Sequence, residues 1–168
     1  SAVRGIGLVR LMGRHAGFIA CAATLASQEA NVCLVPESPF SLEGPKGLLA
    51  FLERRMDARG HAVIVVAEGA GQHLFPNPEV AVDRSGNPKL LDIGALLKAR
   101  IVDHFVRIDQ RVDLKYIDPS YIIRSVAPSC EDSLLCDQLA RKAVHAGMAG
   151  KTDLMIGLVN GAFVHVPL

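Results

Sequence analysis

An α/β fold, Rossmann-like, with a mostly parallel sheet and helices on both faces, is predicted by three features of the sequence. Short apolar runs of strand length alternate with longer runs of helical periodicity, the pattern of successive βαβ units. The run at residues 62–67, Ala-Val-Ile-Val-Val-Ala, is apolar without interruption, as in a strand covered on both faces. The composition is that of a folded chain: of 168 residues, 50% are hydrophobic and 21% charged, which argues against disorder and suffices for a sizeable core in one region.

The elements follow in order. Gly5 to Leu11 reads as a buried strand. Met12-Gly13-Arg14 then forms a tight turn into an Ala-rich helix over residues 16–29, with Ile19, Ala22, Ala23 and Ala26 at helical spacing. Residues 32–35 form a short strand, and 36–45 a loop with three prolines. Pro45 suits the first position of a helix, whose stripe is Leu48, Leu49, Phe51, Leu52 and Met56 and whose stop is Gly60. After the strand at 62–67, residues 75–89 read as an irregular surface excursion. Asp92 can cap a helix running to about Val106, with Leu96, Leu97, Ile101 and Phe105 inward. Residues 112–117 alternate like a half-buried strand. Pro119 interrupts it, and 121–126 is expected to resume extended. Ser129 to Asp132 resembles a capping box with Asp in place of Glu, opening a helix that Gly150 ends. Two last strands, 154–159 and 163–166, meet at Asn160-Gly161, a hairpin turn.

Composition also excludes some functions. A net charge of +1 leaves no electrostatic footprint for nucleic acid or an anionic membrane. No apolar run approaches the roughly 20 residues of a membrane span. Cys21, Cys33, Cys130 and Cys136 form no C-x-x-C or zinc-like spacing, and no metal site is expected. Cys21 and Cys33 lie in apolar runs and read as core thiols, a pattern that fits a reducing compartment. The chain opens directly into a strand without a start methionine, which reads as a piece of a longer polypeptide or a truncated gene model.

On residues alone, several positions invite chemistry. Turns at the carboxyl ends of parallel strands are where ligands bind. Backbone N–H groups at a helix start favour anions, and an arginine offers a planar fork to phosphate or carboxylate. Arg14 therefore reads either as an anion ligand or as a solvated residue on a tight bend. Glu68 leaves the 62–67 strand beside Gly69 and Gly71 and reads as an exposed loop acid or as an acceptor for hydroxyls. Tyr121 and Arg124, three apart in an extended segment, would face opposite ways unless the backbone bends near Pro119.

The stretch Gly-Ile-Gly-Leu-Val-Arg-Leu-Met-Gly-Arg-His-Ala-Gly-Phe-Ile-Ala, from Gly5 to Ala20, resembles the substrate-site segment of 6-phosphofructokinases. Further stretches match in the same order: Pro36 to Phe40, Ala67-Glu68-Gly69-Ala70-Gly71-Gln72, Tyr121-Ile122-Ile123-Arg124, and Gly157 to Gly161. The wording around them, including Leu42-Glu43-Gly44-Pro45 and Leu114 to Pro119, is most similar to the plant-type, ATP-dependent branch.

The resemblance implies phosphoryl transfer from ATP to fructose 6-phosphate, giving fructose 1,6-bisphosphate in glycolysis. Arg14 would bridge substrate and transition state, and Met12 and Gly13 would shape the turn. Glu68 would grip sugar hydroxyls, and Tyr121 and Arg124 the 6-phosphate. Lys115 stands where bacterial members carry an arginine that reaches a neighbouring subunit's sugar phosphate, implying a homo-oligomer with shared sites. A second cross-subunit arginine of those members aligns with Gly5, so the resemblance does not carry that contact over; Arg4 and Arg10 are near but not aligned. Glu37 matches a position of the bacterial effector site and is kept out of the active site. The family's nucleotide loop and catalytic aspartate motif do not occur in these residues. ATP and Mg²⁺ are thus expected on an upstream part, and this chain alone is expected to be inactive. The resemblance leaves two alternatives: a pyrophosphate-dependent relative, and a non-catalytic sugar-phosphate-binding or regulatory subunit. The compartment expected is the cytoplasm, or a plastid if a transit peptide lies upstream.

Overall fold

The computed structural model describes residues 4–76, 86 and 89–168. Where the sequence reads as one region, the fold divides into two compact units, Ser1–Ile123 and Arg124–Leu168.

The first unit is built on a four-stranded parallel sheet. Its strands are β1 (Gly5–Leu11), β2 (Val32–Leu34), β3 (His61–Ala67) and β4 (Asp113–Ile117), in the order β2-β3-β1-β4. Helices α1 (Phe18–Ser27), α2 (Leu48–Arg59) and α3 (Ile93–Arg107) make the connections. Strand alternation sorts the side chains between two faces. Ile6, Leu8, Ile64 and Val66 join Leu49, Leu52 and Met56 of α2 and Ile93, Leu97, Ile101 and Phe105 of α3 in the main core. Val65 and Ala67 point the other way, onto Ala20 of α1. Helices therefore cover both faces, and β3 is apolar from Ala62 to Ala67, after the exposed His61 at its start, because that run has no solvent side.

Local signals explain the ends of the helices. Asp92 caps α3, its Oδ1 accepting the Ala95 N–H at 3.1 Å. Gly60, at φ +72°, ends α2. Four expectations need correction. Pro45 is not the first residue of α2; it lies in the turn before Gly47, and the helix begins at Leu48. On α1 the buried residue is Ala20, while Ala22 and Ala26 are exposed, so the inward face lies one step from the expected stripe. Cys21, expected in the core, is exposed on α1. Residues 121–126 are not extended: Ser120–Ser125 form helix α4. The excursion expected over 75–89 falls mostly outside the described residues.

The second unit carries α5 (Cys130–Met148) and an antiparallel pair, β5 (Leu154–Val159) and β6 (Ala162–Pro167). Ser129 Oγ accepts the Asp132 N–H at 3.2 Å and donates to Asp132 Oδ2 at 3.0 Å, so Asp replaces the longer Glu by meeting the cap hydroxyl. At the other end, Lys151 N–H reaches the Ala146 carbonyl (3.0 Å) and Gly150 N–H the Gly147 carbonyl (2.9 Å), a Schellman closure. Asn160 and Gly161, at φ +51° and +78°, form the hairpin turn.

Phe105 is fully buried and Val106 is 70% exposed on the same helix. Phe105→Ala is expected to cost about 3–5 kcal/mol, and Val106→Ala within about 0.5 kcal/mol, as read from urea unfolding midpoints. Equal losses would contradict the assignment of α3's inward face.

Candidate functional site

The carboxyl ends of β1 and β3 bring two segments into backbone contact. Leu11 is level with Ala67, so the chain leaves both strands side by side. The Leu11 carbonyl accepts the Glu68 N–H at 2.9 Å and the Gly13 carbonyl accepts the Gly69 N–H at 3.0 Å, continuing the ladder beyond the strands. Glycine permits this approach. A Cβ on Gly69 would lie 1.8 Å from the Arg14 carbonyl oxygen, and one on Gly13, at φ +144°, 2.6 Å from that of Ala16. The Gln72 amide donates to the carbonyls of Glu68 (3.2 Å) and Leu91 (3.1 Å) and accepts the Leu91 N–H (3.1 Å), pinning the loop from outside. Met12, Arg14 and Glu68 are each half-buried along this rim.

Glu37 Oε1 accepts the Gly17 N–H at 2.8 Å, which brings a carboxylate of the chain to the residue before α1. Glu37 thereby holds the far side of the Arg14 turn, a role its position after a strand did not reveal.

A polar network that sequence reasoning missed fixes the neighbouring part of the rim. Arg10 follows Ile6 and Leu8 on one face of β1 and reaches past the end of the core. Its guanidinium donates to Asp118 Oδ2 and lies 3.6 Å from Asp92 Oδ1. Tyr116 of β4 donates its hydroxyl to Asp92 Oδ1 at 3.1 Å. Asp118 Oδ1 in turn accepts from the Ser120 N–H (3.1 Å) and from its hydroxyl. Burial pushes the Tyr116 hydroxyl up to about 12, against the pull of Arg10 and with the help of the bond to Asp92. Burial also opposes ionisation of Asp118, but hydrogen bonds from Ser120 and Arg10 outweigh it and hold that carboxyl below its ordinary range. Arg4 is likewise engaged within its unit, with Gln110 (2.6 Å) and Asp57 (3.3 Å).

Asp118-Pro119 is the signal that turns residues 120–125 into a helix. Asp118 satisfies the first N–H, proline is tolerated at a helix start, and Ile123 N–H closes on the Pro119 carbonyl at 2.9 Å. Tyr121 and Arg124, three positions apart on α4, consequently share a helical face instead of pointing oppositely. Both are exposed. Lys115 is not brought to the rim. It is exposed on β4, level with Gly7, four residues below Leu11 or about 13 Å down the sheet.

With this geometry in view, the chain can be set beside known proteins. The sequence model of the family described as Phosphofructokinase matches residues 1–147. ATP-dependent 6-phosphofructokinase 7 of Arabidopsis thaliana is 50% identical over 165 residues, covering 97% of this chain and 34% of that protein. ATP-dependent 6-phosphofructokinase of Amycolatopsis methanolica is 50% identical over 169 residues, 97% of this chain and 37% of that one. The chain thus spans about a third of the length of these relatives. The crystal structure of Pichia pastoris phosphofructokinase in the T-state matches with a TM-score of 0.65, covering 99% of this chain and 16% of that chain at 23% identity, a likeness of fold.

Asp118 gives the site a pH signature. A carboxyl whose folded pKa is depressed contributes stability that is present above the unfolded value, near 4, and lost as pH falls through the folded value. Asp118→Asn is expected to be less stable than wild type at about pH 6, with the gap closing towards about pH 3. Urea midpoints across that range check it; a gap that does not change with pH would remove Asp118 from the network's charge balance.

Proposed function

This chain belongs to the phosphofructokinase family, and from that premise we propose that it supplies the sugar-phosphate part of an ATP-dependent 6-phosphofructokinase. The observation that carries the reading is the joined backbone of Gly13 and Gly69 at the carboxyl ends of adjacent parallel strands, which holds Arg14 and Glu68 on one rim. The reaction is transfer of a phosphoryl group from ATP to the 1-hydroxyl of fructose 6-phosphate. Such transfer is mostly positioning and charge neutralisation. In this reading the Arg14 guanidinium carries charge that develops during transfer, and Met12 and Gly13 shape the turn. Glu68 accepts hydrogen bonds from sugar hydroxyls. Tyr121 and Arg124 hold the 6-phosphate from one face of α4. ATP, rather than pyrophosphate, is the donor named in the relatives that are half identical to this chain.

Among the described residues no group of three or more His, Cys, Asp or Glu is placed to hold a metal. Mg²⁺ keeps several waters and takes one or two carboxylates together with substrate phosphates; it and ATP are assigned to the upstream part of the complete enzyme. Lys115, exposed on an edge strand and away from the rim, suits the service of a neighbouring subunit's site in a homo-oligomer. Among the described residues no helix is long and apolar enough to cross a membrane; the cytoplasm, or a plastid, is the proposed compartment.

The two arginines separate in kinetics. In the complete enzyme Arg14→Ala is expected to lower kcat by about 100-fold or more, the roughly 3 kcal/mol of one electrostatic donor. Arg124→Ala touches a phosphate that does not react. It is expected to raise KM for fructose 6-phosphate by about 30–150-fold and to leave the poor use of fructose almost unchanged. Identical losses with both sugars for Arg124→Ala would make that arginine a structural residue.

A further inference from the structure

Two thiols meet on the α1 side of the sheet. Cys33 lies in β2 with its side chain towards Ala20, Val65 and Ala67. Cys21, one helical turn into α1, is exposed, and its sulfur is 3.9 Å from that of Cys33. We propose that Cys21 and Cys33 are a redox-modification site, oxidised to an intrachain disulfide by exchange with a small-molecule disulfide such as oxidised glutathione.

The geometry requires little movement. A disulfide brings sulfurs to about 2.05 Å, and side-chain rotation within staggered wells supplies changes of this size. Access sets the order of events. The Cys21 thiolate attacks one sulfur of oxidised glutathione, forming a mixed disulfide and expelling one glutathione thiolate. Cys33 then gives its proton to solvent, and its thiolate attacks the Cys21 sulfur, expelling the second. Two protein thiols are oxidised and one glutathione disulfide is reduced to two thiols. Partial desolvation by neighbouring atoms, the contact with Cys33 and the nearby Glu37 charge raise the Cys21 thiol, so the exchange is best followed at mildly alkaline pH. The bond would clamp the first turn of α1, the helix that follows the Arg14 turn, to β2. Closing a loop of about a dozen residues shifts the folded-to-unfolded ratio on the order of 100-fold.

The remaining cysteines provide an internal comparison. Cys130 and Cys136 are both exposed on α5, but six helical positions separate them by about 9 Å along the axis and turn them apart. They cannot pair while α5 is formed.

The test exposes the full 168-residue chain to oxidised glutathione, once under native conditions and once in guanidinium. Glu-specific digestion then cuts after Glu29 and Glu131, between the members of each pair, and mass spectrometry identifies the linked peptides. Under native conditions the Cys21–Cys33 product should exceed the Cys130–Cys136 product by about tenfold or more. In guanidinium the preference should reverse, because the shorter loop closes more readily. Cys33→Ser should leave Cys21 as a mixed disulfide with glutathione. The proposal is overturned if native wild type also stops at that mixed disulfide. It is equally overturned if Cys21 links to Cys130, Cys136 or another chain, or if native and unfolded samples give the same ratio.

Discussion

No methyl group fits between Gly69 and the carbonyl of Arg14, and the geometry of the rim depends on that. Hydrogen bonding between β1 and β3 aligns the two strands only as far as Leu11 and Ala67. Beyond that point nothing in a parallel sheet obliges two loops to stay together. The bonds from Glu68 N–H to Leu11 and from Gly69 N–H to Gly13 carry the alignment one step further. They form only because the side chain that would intervene is missing. The spacing of Arg14 and Glu68 is therefore a backbone property, set before either side chain chooses a rotamer.

Stability and orientation come from different parts of the first unit. Each large side chain buried between the sheet and α2 or α3 contributes about 1.5–3 kcal/mol, so Leu52, Ile64, Leu97 and Phe105, all fully buried, dominate the energetics. The Arg10 network cannot compete on that scale, since partly exposed ion pairs contribute about 0–1 kcal/mol. Its effect is directional. One guanidinium links the cap of α3 at Asp92 with the start of α4 at Asp118, so the helix carrying Tyr121 is referenced to the same strand that delivers Arg14. Glu37 and Gln72 do the same for the turns on either side of the junction.

The fold was legible wherever one physical signal had no rival. The unbroken apolar run of β3, the Asp92 cap and the Asn160-Gly161 turn each admit one reading. The failures share a cause: a residue was given one of two meanings. Pro119 reads in the sequence as a break in an extended chain, although proline after aspartate is also a helix start, and the bond from the Ser120 N–H to the Asp118 side chain decides between them. Pro45 is the converse case, a proline in the turn before a helix. On α1, alanines occupy both faces, so periodicity alone could not say that Ala20 is buried and Ala22 is not. The rim was legible in part: Arg14 and Glu68 each follow an apolar strand run, where ligands bind in a parallel sheet, but nothing in the sequence says that the two strands are neighbours. The partners of Arg10 and Glu37 were not legible, because neither an ion pair about a hundred positions apart, as between Arg10 and Asp118, nor a bond from a backbone N–H to a carboxylate on another loop, as between Gly17 and Glu37, leaves a local pattern.

The direct measurement is kcat/KM for fructose 6-phosphate in the complete enzyme carrying Gly69→Ala, beside Gly7→Ala as control. A Cβ at Gly7 meets nothing nearer than a Val63 methyl at 3.8 Å, whereas at Gly69 it strikes backbone at 1.8 Å. A displacement of about 1 Å at a reacting site costs on the order of 100-fold. A loss of that size is expected for Gly69→Ala, with Gly7→Ala within a few-fold of wild type. Near wild-type kinetics for Gly69→Ala would contradict it, since the two loops would then hold their ligand groups without the contact on which the rim is built.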